Sequence, residues 1–298
     1  HLLPDYNQPQ TYQPSAVSER SLCVPTAFAM VLSFLVQTGV VHELPSGHPY
    51  PPRTTIGNYD TQGWQDYMYD GATQRTTWPS SMQWSDALLD PVHIPSLNWW
   101  VNTNAQGAHN VPGYAGAGTQ LSAALLGMTE FFQHTSPLVT SGWAFHKGAS
   151  APHHHGVLPS YWTPGNVYDK TSVYIGLNSA VYAGRVVVLF LDSYNTDIMT
   201  IPAADHEARW LYTAAVASAS TEDVYTLNAE DPALAHGHAV VLVGIASYGG
   251  CIWFIVRDGD PTTGRNVMLP WSSACSSTGG HRSLWDALLA SFHVNAHQ

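Results

Sequence analysis

Three residues of this chain have the types and settings of a nucleophile with its acid–base partner. Cys23 opens the apolar segment CVPTAFAMVLSFLVQ, His238 opens HAVVLVGI, and Asp258 closes CIWFIVRD. A thiol is a weak nucleophile and a thiolate a strong one. A helix N-terminus carries partial positive charge and unsatisfied N–H donors, which favour the thiolate. A neighbouring imidazole takes the thiol proton and later returns it to a leaving group. An acidic or amide partner holds that imidazole in one tautomer. Taken singly, each residue has an ordinary structural explanation: a small buried hydrophobe, a satisfied histidine beside a strand, an Asp in a turn. Together they suit attack on a carbonyl carbon.

The elements that must position them are legible nearby. Val24, Phe28, Val31, Leu32 and Leu35 fall on one helical face, and Met30 and Phe34 widen it, so the spacing predicts a helix buried on most sides. Ser21 suits its N-cap, Pro25 its first turn and Gly39 its stop. Cys23 then stands at the helix start. Residues 239–245 form a continuous apolar run, SYGG is a turn signal, and residues 251–258 form the partner strand. His238 and Asp258 lie 20 residues apart with the turn midway, so a hairpin would bring them near each other.

Elsewhere, residues 118–134 read as a helix with a stripe of Leu121, Leu125, Met128 and Phe132, widened by Leu126. Residues 172–191 read as a short helix, a turn at Gly184 and a strand over Val186–Leu191; residues 266–271 suggest another strand. Residues 283–292 read as a closing helix. Residues 43–115 read as mostly loops and short helices, and residues 141–172 carry loop chemistry. A helical part before a β-rich part is an α+β pattern, not alternating βαβ units.

Composition narrows the function classes. Charged residues make up only 10% of the 298, with Lys147 and Lys170 the sole lysines and a net charge of −11. Nucleic-acid binding needs clustered cations, so it is not expected; nor is attraction to anionic membranes. No apolar run reaches the length of a membrane span. Protonating the 16 histidines would carry the net charge through zero, so charge depends strongly on pH. Few lysines, with 11 Trp, 15 Tyr and 20 Pro, fit a secreted or extracytoplasmic protein. Of the three cysteines, Cys251 and Cys275 are placed to pair in an oxidising compartment, which leaves Cys23 outside a disulfide.

Three blocks resemble the papain-like cysteine peptidase superfamily. CVPTAFAMVLSFL resembles its cysteine helix, closest to the bacteriocin-leader-peptidase-like branch. GHAVVLVGI resembles its histidine strand, and FIVRDGDP the strand ending in the orienting Asp. The order Cys, His, Asp agrees, and the blocks cover about 13, 8 and 8 residues. Val24 departs from the Gly common at its position. The resemblance implies a Gln upstream of Cys23 that joins the Cys23 N–H in binding an oxyanion. Gln8, Gln10 and Gln13 are candidates; the lead-in LPDYNQ favours Gln8, whereas Gln13 is nearer.

The resemblance implies one papain-like catalytic domain in two lobes over 1–298, with residues 43–170 as an insertion or substrate-binding subdomain. The N-terminal helix would pack on a C-terminal antiparallel sheet, with the catalytic cleft between them. It implies a cysteine peptidase acting on a peptide or protein through Cys23, His238, Asp258 and Gln8, with no cofactor. An acyl transferase of transglutaminase or phytochelatin-synthase type would share the triad. A non-catalytic binding protein on the same scaffold is the alternative outside enzymes.

Other signals are weaker. His146 with His153, His154 and His155 suggests a metal, but consecutive histidines do not readily face one ion, so a solvated loop is expected and no metal. Trp64, Trp78, Trp84, Trp99 and Trp100 would line a cleft or pack a core.

Overall fold

The computed structural model describes residues 23–37, 100–101, 118–135, 139–146, 167–191, 196–201, 206–210, 213–218, 222–227, 237–259, 267–275 and 283–296. The chain divides into two compact units. The first holds residues 1–142 with 155–159 and 295–298; the second holds 143–154 and 160–294. The protein is α+β, with helices and a largely antiparallel sheet.

In the first unit, helix α1 (Cys23–Gln37) is buried on most sides, as its sequence predicts: Ala27 to Leu32 are all fully buried. Helix α2 (Leu121–Thr135) buries Leu125, Met128, Phe131 and Phe132. Trp100 meets Phe131 edge-on at 5.8 Å between ring centroids. Gly127 makes this packing possible, because a Cβ there would overlap the Trp100 carbonyl. Trp100 is thus a core residue; the other four tryptophans of the cleft expectation lie outside the described residues.

The second unit is organised on a sheet. Its strands include β1 (Val139–His146, whose last four residues belong to this unit), β2 (Val167–Tyr168) and β3 (Val186–Leu191). Then follow β4 (Thr196–Ile201), β5 (His206–Trp210), β6 (Thr213–Ser218), β7 (Glu222–Leu227) and β8 (His238–Tyr248). The last are β9 (Cys251–Arg257), β10 (Val267–Pro270) and β11 (Leu288–Ala296, of which all but the last two residues belong to this unit). The order is β2-β1-β11-β3-β8-β9-β10-β7-β4, with β5 on β8 and β6 on β5. β1 with β2 and β10 with β7 run parallel; β3–β8, β8–β9, β9–β10, β3–β11, β4–β7, β5–β6 and β5–β8 are antiparallel.

Strand β8 spends its first half on β3 and its second half on β5. Its other edge pairs with β9, with a register shift between Leu242 and Gly244. Such a bulge bends a strand and raises its twist. Gly249 (φ 58°) and Gly250 (φ 73°) make the β8–β9 turn in the left-handed region that favours glycine. The expected Cys251–Cys275 disulfide is present, with Cα atoms 5.5 Å apart.

Helix α3 (Lys170–Tyr182) covers one face of this sheet. Asp169 caps it by accepting from the Ser172 N–H at 2.9 Å. Val173, Leu177, Ala180 and Val181 form its buried stripe and pack with Leu189, Val240, Leu242, Phe254 and Val256 of the sheet. The opposite face is buried too, at Val188, Phe190, Val241 and Ile255. Burial on both faces explains why β3 and β8 read as continuous apolar runs.

Two sequence expectations are corrected. Residues 283–292 are not one helix: α4 (Leu284–Ala287) is a single turn capped by Ser283, and the chain then extends as β11. After a register shift between Leu288 and Ala290, the residues Ala290, Phe292 and Val294 are buried on one face, paired along β3, and Leu288 and Ser291 are buried on the other. Residues 141–172 are not all loop, because they include most of β1, all of β2 and the start of α3.

Candidate functional site

Cys23 is the first residue of α1, 7% exposed, and carries a thiol rather than a disulfide. No acidic side chain occupies the first turn of α1. The partial positive charge of the helix start therefore acts on the sulfur without a carboxylate in that turn opposing it. Val24 and Thr26 are buried beside it in sequence. Cys23 belongs to the first unit, His238 and Asp258 to the second.

The β8–β9 hairpin brings His238 and Asp258 together. His238 is the first residue of β8 and is half-buried; Asp258 follows the last residue of β9 and is buried. Val241 pairs with Arg257, so Asp258 falls beside the level of Val240, diagonal to His238 on the same face. His238 also pairs with Leu191 at the end of β3, on the face covered by α3. After Asp258, Gly259 takes φ 69° and turns the chain away from the sheet.

The contact between the two residues is a hydrogen bond of 2.7 Å from His238 Nε2 to the main-chain carbonyl oxygen of Asp258. The sequence suggests a side-chain partner; this bond comes from the backbone at the same residue. A carbonyl oxygen only accepts, so Nε2 must carry the proton. In the neutral imidazole Nδ1 is then the basic nitrogen. A group that fixes Nε2–H thus performs the orienting task that a triad asks of its third member.

Gly237 completes the local construction. A Cβ at this position would lie 3.3 Å from the Leu191 carbonyl oxygen, tighter than an ordinary contact. Glycine lets the start of β8 approach β3 closely, which sets where His238 leaves the sheet. The sequence contains this signal only as the Gly preceding His238.

Gln8, Gln10 and Gln13 lie outside the described residues, as do Ser21, Gly39 and the His153–His155 run. Among the described residues no group of three or more His, Cys, Asp or Glu is arranged to hold a metal. His146 is not part of a histidine-rich loop. It ends β1, buried, with Nε2 3.1 Å from Ser291 Oγ. Among the described residues no helix is long and apolar enough to cross a membrane. No protein-family model matches the chain, and no curated protein matches it significantly.

Proposed function

We propose that this protein is a papain-like cysteine hydrolase, a peptidase of an extracytoplasmic compartment. The observation that carries the reading is the 2.7 Å bond from His238 Nε2 to the Asp258 carbonyl, which leaves Nδ1 as the base. Cys23 at the start of a buried 15-residue helix supplies the nucleophile. The disulfide supports an oxidising compartment.

In this reading His238 Nδ1 takes the Cys23 thiol proton. The thiolate sulfur attacks the amide carbonyl carbon, and the Cys23 N–H with Gln8 holds the oxygen as charge develops on it. The C–N bond breaks as the imidazolium returns its proton to the departing amine. Water, deprotonated by His238, then attacks the thioester carbon. The acid leaves, and the thiol regains its proton. The reading requires the Cys23 sulfur to meet His238 Nδ1 during turnover.

Iodoacetamide labelling of the unreduced protein from about pH 4 to 9, with the adduct mapped by peptide mass spectrometry, tests that requirement. Fast alkylation at Cys23 that persists well below the ordinary thiol pKa of about 8.5, and is lost in His238→Ala, supports the pair. Alkylation that follows an unperturbed thiol overturns it. Turnover of a peptide library, with and without amine or thiol acceptors, separates hydrolysis from acyl transfer.

A further inference from the structure

A second histidine arrangement lies in the same sheet, away from His238. Ser291 of β11 is fully buried, and its Oγ meets two imidazoles: His146 Nε2 at 3.1 Å and His293 Nε2 at 2.8 Å. His146 ends β1; Ser291 and His293 are two apart on β11 and share a face. Their partners on β3 are Leu189 and Val187, so the chain of three lies on the α3-covered face. The Trp285 ring of α4 stands 6.4 Å from the His146 ring.

We infer that His146, Ser291 and His293 form an acid-release latch: neutral imidazoles fasten the end of β1 to β11, and protonation loosens the β1–β2 edge of the sheet. The argument begins with proton counting. A hydroxyl carries one hydrogen, so with both rings neutral one Nε2–H donates to Ser291 and the Ser291 hydrogen goes to the other Nε2. Protonation of His293 alone keeps both bonds, its Nε2–H donating to Ser291 and the Ser291 hydrogen going to His146 Nε2, but it places a cation in a largely desolvated site. Protonation of both rings would make both Nε2 atoms donors, so that Ser291 accepts twice and its own hydrogen loses this acceptor.

Among the described residues, the surroundings do not favour the cation. β3 carries no ionisable side chain, and Arg185, just before it, is itself a cation. The ionisable groups of α3 are Lys170, Tyr174 and Tyr182, none of them a carboxylate. Asp286 of α4 accepts the Ser283 hydroxyl. Tyr168 of β2 is the register partner of His146. Burial first, and Arg185 second, lower the His293 pKa to about 4.

The sign follows. Opening of the edge exposes the imidazole to water, where it binds a proton near its ordinary value. The opened form therefore gains protons first as pH falls. With 6.5 opened and about 4 closed, the opening equilibrium rises at most roughly thirtyfold between pH 7.5 and 5.

Hydrogen–deuterium exchange of the intact protein at these two pH values, corrected for intrinsic rates, reads this directly. Residues 143–146 are expected to gain about tenfold or more at pH 5, while residues 239–243 of β8 stay within about threefold. In His293→Gln the response of β1 should shrink to that of β8. A β1 response equal to that of β8 in the natural protein overturns the latch, and so does a full response retained in His293→Gln. The contrast between strands within the natural protein decides the matter even where the variant does not fold.

Discussion

Two histidine settings share one sheet and differ in the oxygen that each imidazole meets. His238 donates to a main-chain carbonyl, which has no proton to give. His146 and His293 meet a hydroxyl, which both donates and accepts. The carbonyl fixes a tautomer and tolerates the cation, since Nε2–H is present in both protonation states. The hydroxyl bridge needs at least one ring to accept, so double protonation breaks it. The first setting suits repeated proton transfer at Nδ1; the second suits a single structural response to acid. His238 and His293 are both half-buried, but the bridge between the rings of the second setting is not: Ser291 and His146 are buried.

The largest expected effect separates the two settings by activity. Cys23→Ala should abolish turnover. His238→Ala should lower kcat/KM by about a thousandfold, within the usual range for a lost general base. Neither should change the pH dependence of stability attributed to the latch. Peptide turnover together with thermal melts across pH checks this. Equal loss of turnover in His293→Gln would erase the distinction.

The disulfide supplies a reference whose stability effect does not depend on acid. Cys251 and Cys275 are 24 apart in sequence. Replacing both by Ser should cost about 3 kcal/mol from loop entropy in the unfolded chain. The loss should be similar at pH 7 and pH 5 by urea denaturation. Slightly smaller is the acid effect at His293. Its folded pKa of about 4 lies below the ordinary 6.5, so its stabilisation is complete above 6.5 and lost as pH falls towards 4. The upper bound is roughly 3 kcal/mol. Urea titrations of the natural protein and His293→Gln should agree above pH 7 in slope against pH and diverge below about 6.

What could be read from the sequence follows from burial. β3, β8 and β9 bury both faces over much of their length, so VVVLFL, HAVVLVGI and WFIV announce themselves as apolar runs. The strands TDIMTI, HEARW, TAAVAS and EDVYTL interleave polar and apolar residues without a continuous apolar run, and the sequence reading places no element there. LWDALLASF reads as a helix because a few apolar residues satisfy both periods; pairing along β3 decides for extension. Within the site, the apolar blocks point to Cys23 and to the His238–Asp258 hairpin. They do not point to the carbonyl, because a sequence names side chains and every residue has the same backbone oxygen. The latch was hidden for another reason: His146 and Ser291 are 145 residues apart, and only the sheet order joins their strands.

The smallest predicted effect bears most sharply on how His238 is oriented. If the Asp258 carbonyl holds Nε2–H, the side chain at 258 can change while that bond persists. Asp258→Asn keeps size and shape in a buried position and leaves the main chain able to accept. The expected fall in kcat is less than about tenfold, or about 1.4 kcal/mol of transition-state stabilisation. Loss of the negative charge should also ease deprotonation of the imidazolium, moving the acid limb of the pH–rate profile to lower pH. Asp258→Ala, which keeps the same main-chain carbonyl but removes any side-chain acceptor, should then fall in kcat little further than Asp258→Asn; a side chain that orients the ring directly predicts a much larger loss in Asp258→Ala, because the Asn amide oxygen can still accept from Nε2–H and the Ala methyl cannot. Steady-state kinetics of the two variants across pH therefore distinguishes orientation by the backbone from orientation by the side chain, with Cys23 and His238 unchanged.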